Sequence, residues 1–347
     1  MRRACALVTG ATGFVGSRLV RHLLRQGEQV KALVRPGANL RALAGLGEAE
    51  LAYGDVTVAT TVYRALAGCT RVYHLATNHR WSDPDRRSIL GPAVEGTRAV
   101  LQAARRRGVE KVVVTSSIAA LGVAEEPEPM DESHELVERD AELYAVAKYR
   151  AEQVALKYAA QGLPVVIVEP AFAFGPGDWR PTPSGELVLR YLKRGGSVPV
   201  FPGGLSLVDV DDVCVGHWLA MQRGRPGERY ILGGDNLTFR GFWSLLSEIT
   251  NLEPPGRELS PALLGLFGSL HELGGYFTRV EPWYTRRRAK HLARYSWVTS
   301  TKAERELGYT HRRAREALER SVRFFVEHGL VPQTRAANLN RELGRAT

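Results

Sequence analysis

The feature that most constrains this chain is a glycine pattern near its amino terminus. Residues 9–16 read Thr-Gly-Ala-Thr-Gly-Phe-Val-Gly, after an apolar strand-like run and before segment 14–25, whose apolar residues recur at helical spacing. A strand, a glycine turn and a helix in this register predict a site for dinucleotide phosphates. Gly10 permits the tight turn, Gly13 lets the backbone approach a pyrophosphate, and Gly16 lets the helix pack closely on the sheet. The phosphates would lie at the helix amino terminus, where free N–H groups favour anions.

The first half of the chain continues with strand-like and helix-like segments in alternation, ending in a strand at residues 164–168. This alternation predicts an α/β fold, a doubly wound parallel Rossmann sheet. Beyond Pro170 the sequence is richer in glycine and proline, which indicates a smaller carboxy-terminal α/β lid. We therefore expect a nucleotide-binding domain at 1–170, a substrate-binding region interleaved with the sheet at 171–332, and a loose tail at 333–347.

Composition excludes several classes of protein. The three cysteines, Cys5, Cys69 and Cys214, are scattered along the sequence and match no metal spacing, so we expect no disulfide framework, no metal site and a cytoplasmic protein. No apolar run is long enough to predict a transmembrane segment. The net charge of +10 is compatible with nucleic acid, but no nucleic-acid motif accompanies it. We expect a small-molecule substrate and no nucleic acid partner.

An apolar segment at 261–277 stands near a basic run at 285–294. One interpretation is contact with a membrane surface, with an apolar or lipid-like substrate. The other is a packed helix followed by a solvated basic helix, which is the commoner case. Trp179, Trp283 and Trp297 are candidates to line an apolar pocket, although such residues usually belong to the core.

The end of the second predicted strand bears on cofactor choice. An acidic residue there would bind the adenosine ribose and favour NAD, but this chain has Val34 and then Arg35. The guanidinium of Arg35 can bind a 2′-phosphate, so we predict a preference for NADP(H), with NAD(H) as the alternative. A surface arginine beside a turn is the other interpretation. Asp55, after another strand, is a candidate to bond the adenine amino group.

Two further patterns carry chemistry. Tyr144 and Lys148 are four residues apart in a predicted helix and so share one face. A lysine ammonium beside the phenol would lower the tyrosine pKa from about 10 and make Tyr144 an acid or base near neutral pH. Residues 115–117, Thr-Ser-Ser, end a β-branched strand, where a hydroxyl can polarise a substrate oxygen. Each pattern alone is common in solvated helices and strand ends, but their order after the glycine turn is specific.

Together these motifs resemble the extended short-chain dehydrogenase/reductase family over nearly the whole chain. Beside the glycine turn and the Tyr144/Lys148 pair, the resemblance includes His-Leu-Ala at 74–76, Val-Glu-Gly-Thr at 94–97, Ser117 with Gly122, and segments 175–178 and 302–309. The spacing to Gly122 identifies Ser117, rather than Ser116, with the family's catalytic serine. The resemblance implies catalytic roles for Ser117, Tyr144 and Lys148. It also implies cofactor contacts from Thr9, Gly10, Thr12, Gly13, Phe14, Val15, Gly16, Arg35, Asp55, Val56, Leu75, Ala76, Thr77, Thr115, Lys148 and Pro170.

Two branches of the family are nearest. The dihydroflavonol-reductase-like branch, which reduces carbonyls with NADPH, has a similar second-strand end. The group labelled hopanoid-associated sugar epimerases is similar at 181–185, 209–212 and 225–236. Residue 169, directly before Pro170, is Glu, whereas relatives often carry Asn or Arg at this position. A Glu169 side chain that points into the site would repel a diphosphate, which argues against a nucleotide-sugar substrate. The family's sugar dehydratases carry acidic residues directly after the catalytic hydroxyl. Here Ile118 and Ala119 follow Ser117, which excludes that reaction.

Three functions stay open at this point. The first is a carbonyl reductase or alcohol dehydrogenase, in which Ser117 holds the substrate oxygen, Tyr144 transfers the proton, and Lys148 tunes Tyr144 and holds the ribose. The second is an NAD-dependent epimerase with a sugar or lipid-linked substrate, and the third is a non-catalytic dinucleotide sensor. We expect substrate contacts from 78–90, 118–140 and 171–206, and a homodimer formed through the helices near 92–107 and 142–160.

Overall fold

The computed structural model describes residues 5–77, 86–260, 263, 269, 291–333, 335, 336 and 339. Its strands are β1 Cys5–Thr9, β2 Gln29–Val34, β3 Glu50–Tyr53, β4 Arg71–His74, β5 Lys111–Thr115, β6 Val165–Pro170, β7 Phe172–Phe174, β8 Gly204–Asp209, β9 Arg229–Leu232, β10 Asp235–Thr238 and β11 Tyr295–Ser296. Its helices are α1 Phe14–Arg25, α2 Ala59–Ala65, α3 Arg86–Arg107, α4 Leu143–Ala160, α5 Pro183–Arg194, α6 Val210–Arg223, α7 Phe239–Thr250, α8 Thr301–Leu307 and α9 Ala314–Glu327.

The larger sheet has seven parallel strands in the order β3-β2-β1-β4-β5-β6-β9. Successive strand residues alternate between two apolar cores: Val113 joins one core, and its neighbours Val112 and Val114 join the other. Helices therefore cover both faces, as β-branched buried strands require. The predicted doubly wound α/β fold is confirmed. The strand order reverses between β1 and β4, which places a crevice at their carboxyl ends.

The smaller part of the molecule is built on β8, which pairs with β7, β10 and β11. Its own core contains the fully buried Tyr191, Trp243 and Phe325. Although β9 also follows residue 170, it lies in the larger sheet, so the chain crosses between the two parts more than once. This crossing places the first turn of α5 over the crevice.

Ion pairs join the two parts. Arg18 of α1 donates to both carboxylate oxygens of Asp211 at 2.7 Å, and Asp211 also accepts from Arg320 of α9. These groups are mostly buried, where screening by water is weak. The helix that begins at the glycine turn is thus tied directly to the helices of the smaller part.

Two described residues of the predicted loose tail, 333–347, contact the smaller part of the molecule. Leu339 is fully buried in the core of the smaller part, and Arg335 donates to the carbonyl of Leu192 at 3.2 Å. A polar sequence concealed one apolar anchor. Among the described residues, no helix is both long and apolar enough to cross a membrane. The membrane-surface prediction for 261–277 and 285–294 falls almost wholly outside them, as does the predicted role of Trp283.

Candidate active site

The glycine turn between β1 and α1 has the geometry of a phosphate cradle. Gly10 has a φ of +70°, a left-handed conformation that a side chain would strain. A Cβ on Gly16 would lie 2.1 Å from the Gly10 carbonyl oxygen, and one on Gly13 would lie 3.2 Å from the same atom. No side chain caps the amino terminus of helix α1. The bare turn and its N–H groups therefore fit a dinucleotide pyrophosphate.

A chain of buried hydrogen bonds fixes the back of this turn. The Thr97 hydroxyl donates to the Ala93 carbonyl at 2.8 Å, so its oxygen accepts from His74 Nε2 at 3.1 Å. His74 Nδ1 then accepts from the Thr9 hydroxyl at 2.8 Å, and Thr9 Oγ1 accepts from the Ala76 N–H at 3.2 Å. Burial lowers the pKa of His74 to about 3, which keeps the ring neutral, as this pattern requires. The predicted residues Thr9 and Ala76 support the turn from behind.

The catalytic candidates meet at the carboxyl ends of β4, β5 and β6. Ser117 caps a short 3₁₀ turn, its Oγ accepting from the Ala119 N–H at 3.2 Å. The Ser117 side chain is also hydrogen-bonded to Tyr144, on the first turn of α4. The two hydroxyls thus lie next to each other, although 27 positions separate them in the sequence. A substrate oxygen can contact both at once.

Lys148 lies beneath this pair and is almost completely buried. Its ammonium donates to the Thr115 carbonyl at 2.9 Å and lies 6.0 Å from the centre of the Tyr144 ring. Burial lowers the pKa of Lys148 to about 8, and the carboxylate of Glu152 opposes that shift. The lysine thus has one N–H fixed to the strand and two that remain for other acceptors, such as ribose hydroxyls.

The prediction that Lys148 lowers the pKa of Tyr144 is wrong. Burial raises the pKa of Tyr144 to about 12, and the hydrogen bond from Ser117 opposes only part of that shift. The lysine ammonium donates to the Thr115 carbonyl and lies 6.0 Å from the centre of the Tyr144 ring. Tyr144 is therefore a protonated phenol at neutral pH.

Sequence reasoning missed a buried histidine that positions the end of β5. His217 of α6 donates through Nδ1 to the Val213 carbonyl at 2.7 Å, and its Nε2 accepts from the Thr115 hydroxyl at 2.8 Å. Burial lowers the pKa of His217 to about 4, so the ring stays neutral. It is 102 positions from Thr115, and no local pattern links the two. His217 thus orients the residue whose carbonyl holds Lys148.

Glycine turn and catalytic candidates share one cleft with a cavity volume of about 170 Å³. Of the predicted site residues, those that line it are Gly10, Gly13, Phe14, Val15, Gly16, Leu75, Thr77, Thr115, Ser117, Tyr144, Lys148 and Pro170. The expected substrate segments 118–140 and 171–206 contribute Ile118, Ala119, Gly122, Ala171, Phe172, Ala173, Thr182, Pro183 and Ser184. Glu142, His291 and Ser296 were not predicted. Trp179 and Trp297 do not line the cleft, and residues 78–85 lie outside the described chain.

The candidates for the adenosine half lie further along the same sheet edge. Arg35 is exposed directly after β2, and Asp55 follows β3 nearby. Burial raises the pKa of Asp55, but hydrogen bonds from Thr57 and the charge of Arg35 lower it overall. Val56 packs against Gly96 behind this edge, whereas Thr12 is on the turn itself. An exposed cation is therefore available where a 2′-phosphate would lie.

The expected effect of Glu169 on a diphosphate is not supported, because its side chain does not line the cleft. Glu169 is fully buried, 3.7 Å from Arg229, whose guanidinium also donates to Glu152 at 2.9 Å. Burial raises the pKa of Glu169 well above its usual value, and the neighbouring carboxylate of Glu152 adds to this shift. The argument from charge against a nucleotide sugar therefore fails.

The fold and the glycine turn are those of a dinucleotide-binding protein, and Ser117, Tyr144 and Lys148 line the cleft beside that turn. Residues 6–233 match the sequence model of the NAD dependent epimerase/dehydratase family. A putative dihydroflavonol 4-reductase from Synechocystis sp. is 38% identical, with 94% of this chain and 96% of that protein covered. Sterol demethylase protein B from Methylococcus capsulatus is 34% identical, with 94% and 99% covered. The crystal structure of gox2253 superposes with a TM-score of 0.83 at 37% identity, covering 95% of this chain and 100% of that one.

The chain therefore belongs to the NAD-dependent epimerase/dehydratase family, the extended short-chain dehydrogenases/reductases, as its motifs predict. It is an NAD(P)-dependent oxidoreductase, and the family's cofactor is a nicotinamide dinucleotide.

Proposed function

We propose that this protein is an NADPH-dependent reductase of an apolar, lipid-like ketone or aldehyde. One observation carries the proposal. The hydroxyls of Ser117 and Tyr144 are hydrogen-bonded to each other in the cleft that the glycine turn also lines, with Lys148 buried beneath them. This arrangement supports a role for these groups in binding one substrate oxygen beside a dinucleotide held at α1.

The proton chemistry favours reduction. When bound, the nicotinamide supplies or accepts a hydride. Tyr144, with a pKa of about 12, carries its proton at neutral pH and can give it to the carbonyl oxygen as that oxygen becomes an alkoxide. Ser117 donates a second hydrogen bond to the same oxygen, which stabilises the developing charge. Lys148 would hold the ribose through the N–H groups that Thr115 does not use.

An apolar substrate is proposed from the walls of the cleft. Phe14, Ile118 and Phe172 line it, with several small aliphatic residues around them. Such a surface gains free energy from burying hydrocarbon but offers few partners to a sugar. The name of the relative from Methylococcus capsulatus, sterol demethylase protein B, refers to a sterol. This supports apolar ring systems as the first class of substrate to test.

Substitution of Tyr144 by phenylalanine tests the proposal. We expect kcat for ketone reduction to fall by about 10²- to 10⁴-fold, because the proton donor is lost while the ring and its packing remain. Tyr149→Phe, on the same helix but outside the cleft, is the matched control and should keep wild-type turnover. NADPH consumption with apolar ketones and aldehydes reports the rate. Wild-type turnover in Tyr144→Phe would show that the assignment is wrong.

Epimerisation is the second candidate, because the buried position of Glu169 removes the objection to a nucleotide sugar. In that case the same residues would take the proton of a substrate hydroxyl as the hydride passes to the nicotinamide, and would return that proton when the hydride comes back to the other face of the carbonyl. Purified protein would then carry stoichiometric NAD and would consume no NADPH.

We also propose a homodimer formed through α3 and α4, which light scattering of the purified protein tests.

A further inference from the structure

Two cysteines that are far apart in sequence lie side by side in the fold. Cys5 begins β1, and Cys69 follows α2 just before β4; the two positions are 64 residues apart. Their Sγ atoms are 2.8 Å apart, and both side chains are free thiols. The scattered cysteines of the sequence thus include one close pair.

The pairing of β1 with β4 brings the two cysteines together. The Thr70 N–H donates to the Cys5 carbonyl at 3.0 Å, and Ala6 is in register with Arg71 in the parallel ladder of β1 and β4. This register places Thr70 opposite Cys5, and Cys69 directly precedes Thr70, so the two Sγ atoms are already 2.8 Å apart. A bond between the two sulfur atoms therefore requires no rearrangement of the sheet.

The environments of the two thiols differ in a way that suits stepwise oxidation. Cys5 is half-buried, whereas Cys69 is 7% exposed. The hydrogen bond from Cys69 lowers the pKa of Cys5 despite burial, and the ammonium of Lys31 adds to this effect while Glu50 opposes it. The hydrogen bond with Cys5 and burial raise the pKa of Cys69, and the ammonium of Lys31 opposes this shift. Cys5 is thus the more exposed and the more acidic of the two thiols, and Cys69 is the partner already in contact with it.

We propose that Cys5 and Cys69 are a redox modification site, which small-molecule disulfides convert reversibly into an intramolecular disulfide. The Cys5 thiolate attacks one sulfur of the reagent, whose S–S bond breaks and releases one thiolate. Cys69 loses its proton and attacks Cys5 Sγ, which releases the second reagent thiol. The protein loses two protons and two electrons, and one reagent disulfide becomes two thiols.

The expected effect is on stability rather than on turnover. The cross-link would close the chain from β1 to the start of β4, which contains the glycine turn and Arg35. Closing a loop of this length restricts the unfolded chain and raises Tm, by an amount on the order of 5 °C. The sulfur atoms lie at the opposite end of β1 from Gly10, about 13 Å along the strand, so kcat should change less than twofold.

The native protein is incubated with oxidised glutathione, its remaining thiols are alkylated, and its peptides are analysed by mass spectrometry. We expect a cross-linked peptide pair containing Cys5 and Cys69, a higher Tm, and reversal of both by dithiothreitol. Cys5→Ser and Cys69→Ser should show neither change. Cys214→Ser is the matched control, because Cys214 is buried apart from the pair, and it should respond like the wild type.

Two results would overturn the proposal. One is wild-type protein that retains all three thiols after oxidation under native conditions. The other is a stable glutathione adduct on Cys5 with Cys69 still free, since it would show that the second thiol does not resolve the first. Both readings are taken on the wild-type chain, so they hold even if a serine variant folds poorly, and neither depends on the proposed reductase activity.

Discussion

Gly16→Ala tests whether the tight contact between α1 and the glycine turn is what creates the nucleotide site. The added Cβ would lie 2.1 Å from the Gly10 carbonyl oxygen, whereas ordinary contacts begin at 3.4 Å. Helix and turn must therefore separate by about 1.3 Å. Overpacking of this kind costs about 1–3 kcal/mol of folding stability. A shift of that size also moves the N–H groups of α1 out of hydrogen-bond range of a phosphate.

The loss of binding can be estimated from those N–H groups. A hydrogen bond to a charged group contributes about 1.5–3 kcal/mol, so losing even one weakens the nucleotide affinity about tenfold or more. Fluorescence titration with NADPH measures the affinity, and urea unfolding measures the stability. Gly47→Ala is the matched control, because its Cβ would meet no atom within 4 Å. A folded Gly16→Ala protein that binds NADPH within twofold of wild type would refute the reasoning.

Three further changes probe the remaining groups. Arg35→Asp should weaken NADPH binding by about 1–3 kcal/mol and favour NADH, whereas the exposed control Arg64→Asp should not; equal loss for both nucleotides would contradict the role of Arg35. Reduction should slow as pH rises past about 8, because Lys148 then loses its proton. The carboxylate of Glu152 raises the pKa of Lys148, so Glu152→Gln should move the fall in rate to lower pH. A Glu152→Gln protein with the same pH–rate profile as the wild type would count against this role of Lys148. Burial raises the pKa of Glu169 in the folded state, so the carboxyl ionises first in the unfolded chain as pH rises. The free energy of unfolding of the wild type should therefore fall above about pH 4.5 relative to that of Glu169→Gln, by about 1.4 kcal/mol for each pH unit until the folded pKa is reached. Parallel curves of stability against pH for the two proteins would exclude a buried neutral acid.

Local signals predicted the nucleotide-binding half closely. The segment expected at 14–25 coincides with α1, and the second predicted strand ends at Val34, as β2 does, because both elements are bounded by glycine or a turn. Strand β8 was not predicted, since all six of its residues are buried and the sequence shows no alternation. Strand β7 was missed as well, because three residues among glycines and prolines carry too little pattern.

The cleft could be predicted only in part, because some of its properties depend on contacts between residues that are far apart in the sequence. Tyr144 and Lys148 share one helix, so their spacing is written in the sequence, and the fixed order of motifs located Ser117. The direction in which Glu169 points depends on Arg229, a residue of a strand that enters the sheet 60 positions later. The pKa of Tyr144 depends on burial by several segments at once, which no spacing rule describes.

Two neutral histidines show how the fold sets up the site. His74 and His217 are each buried with both ring nitrogens hydrogen-bonded, one behind the glycine turn and one behind the strand end that holds Lys148. Their pKa values of about 3 and 4 lie below the usual value of 6.5, so protonation would have to break these bonds or unfold the chain. Stability from this source is complete above pH 6.5 and is lost as pH falls through the folded values. The glycine turn and the end of β5 are therefore held in the same way, each by an imidazole ring. Such a ring can donate one hydrogen bond and accept another only while it is uncharged.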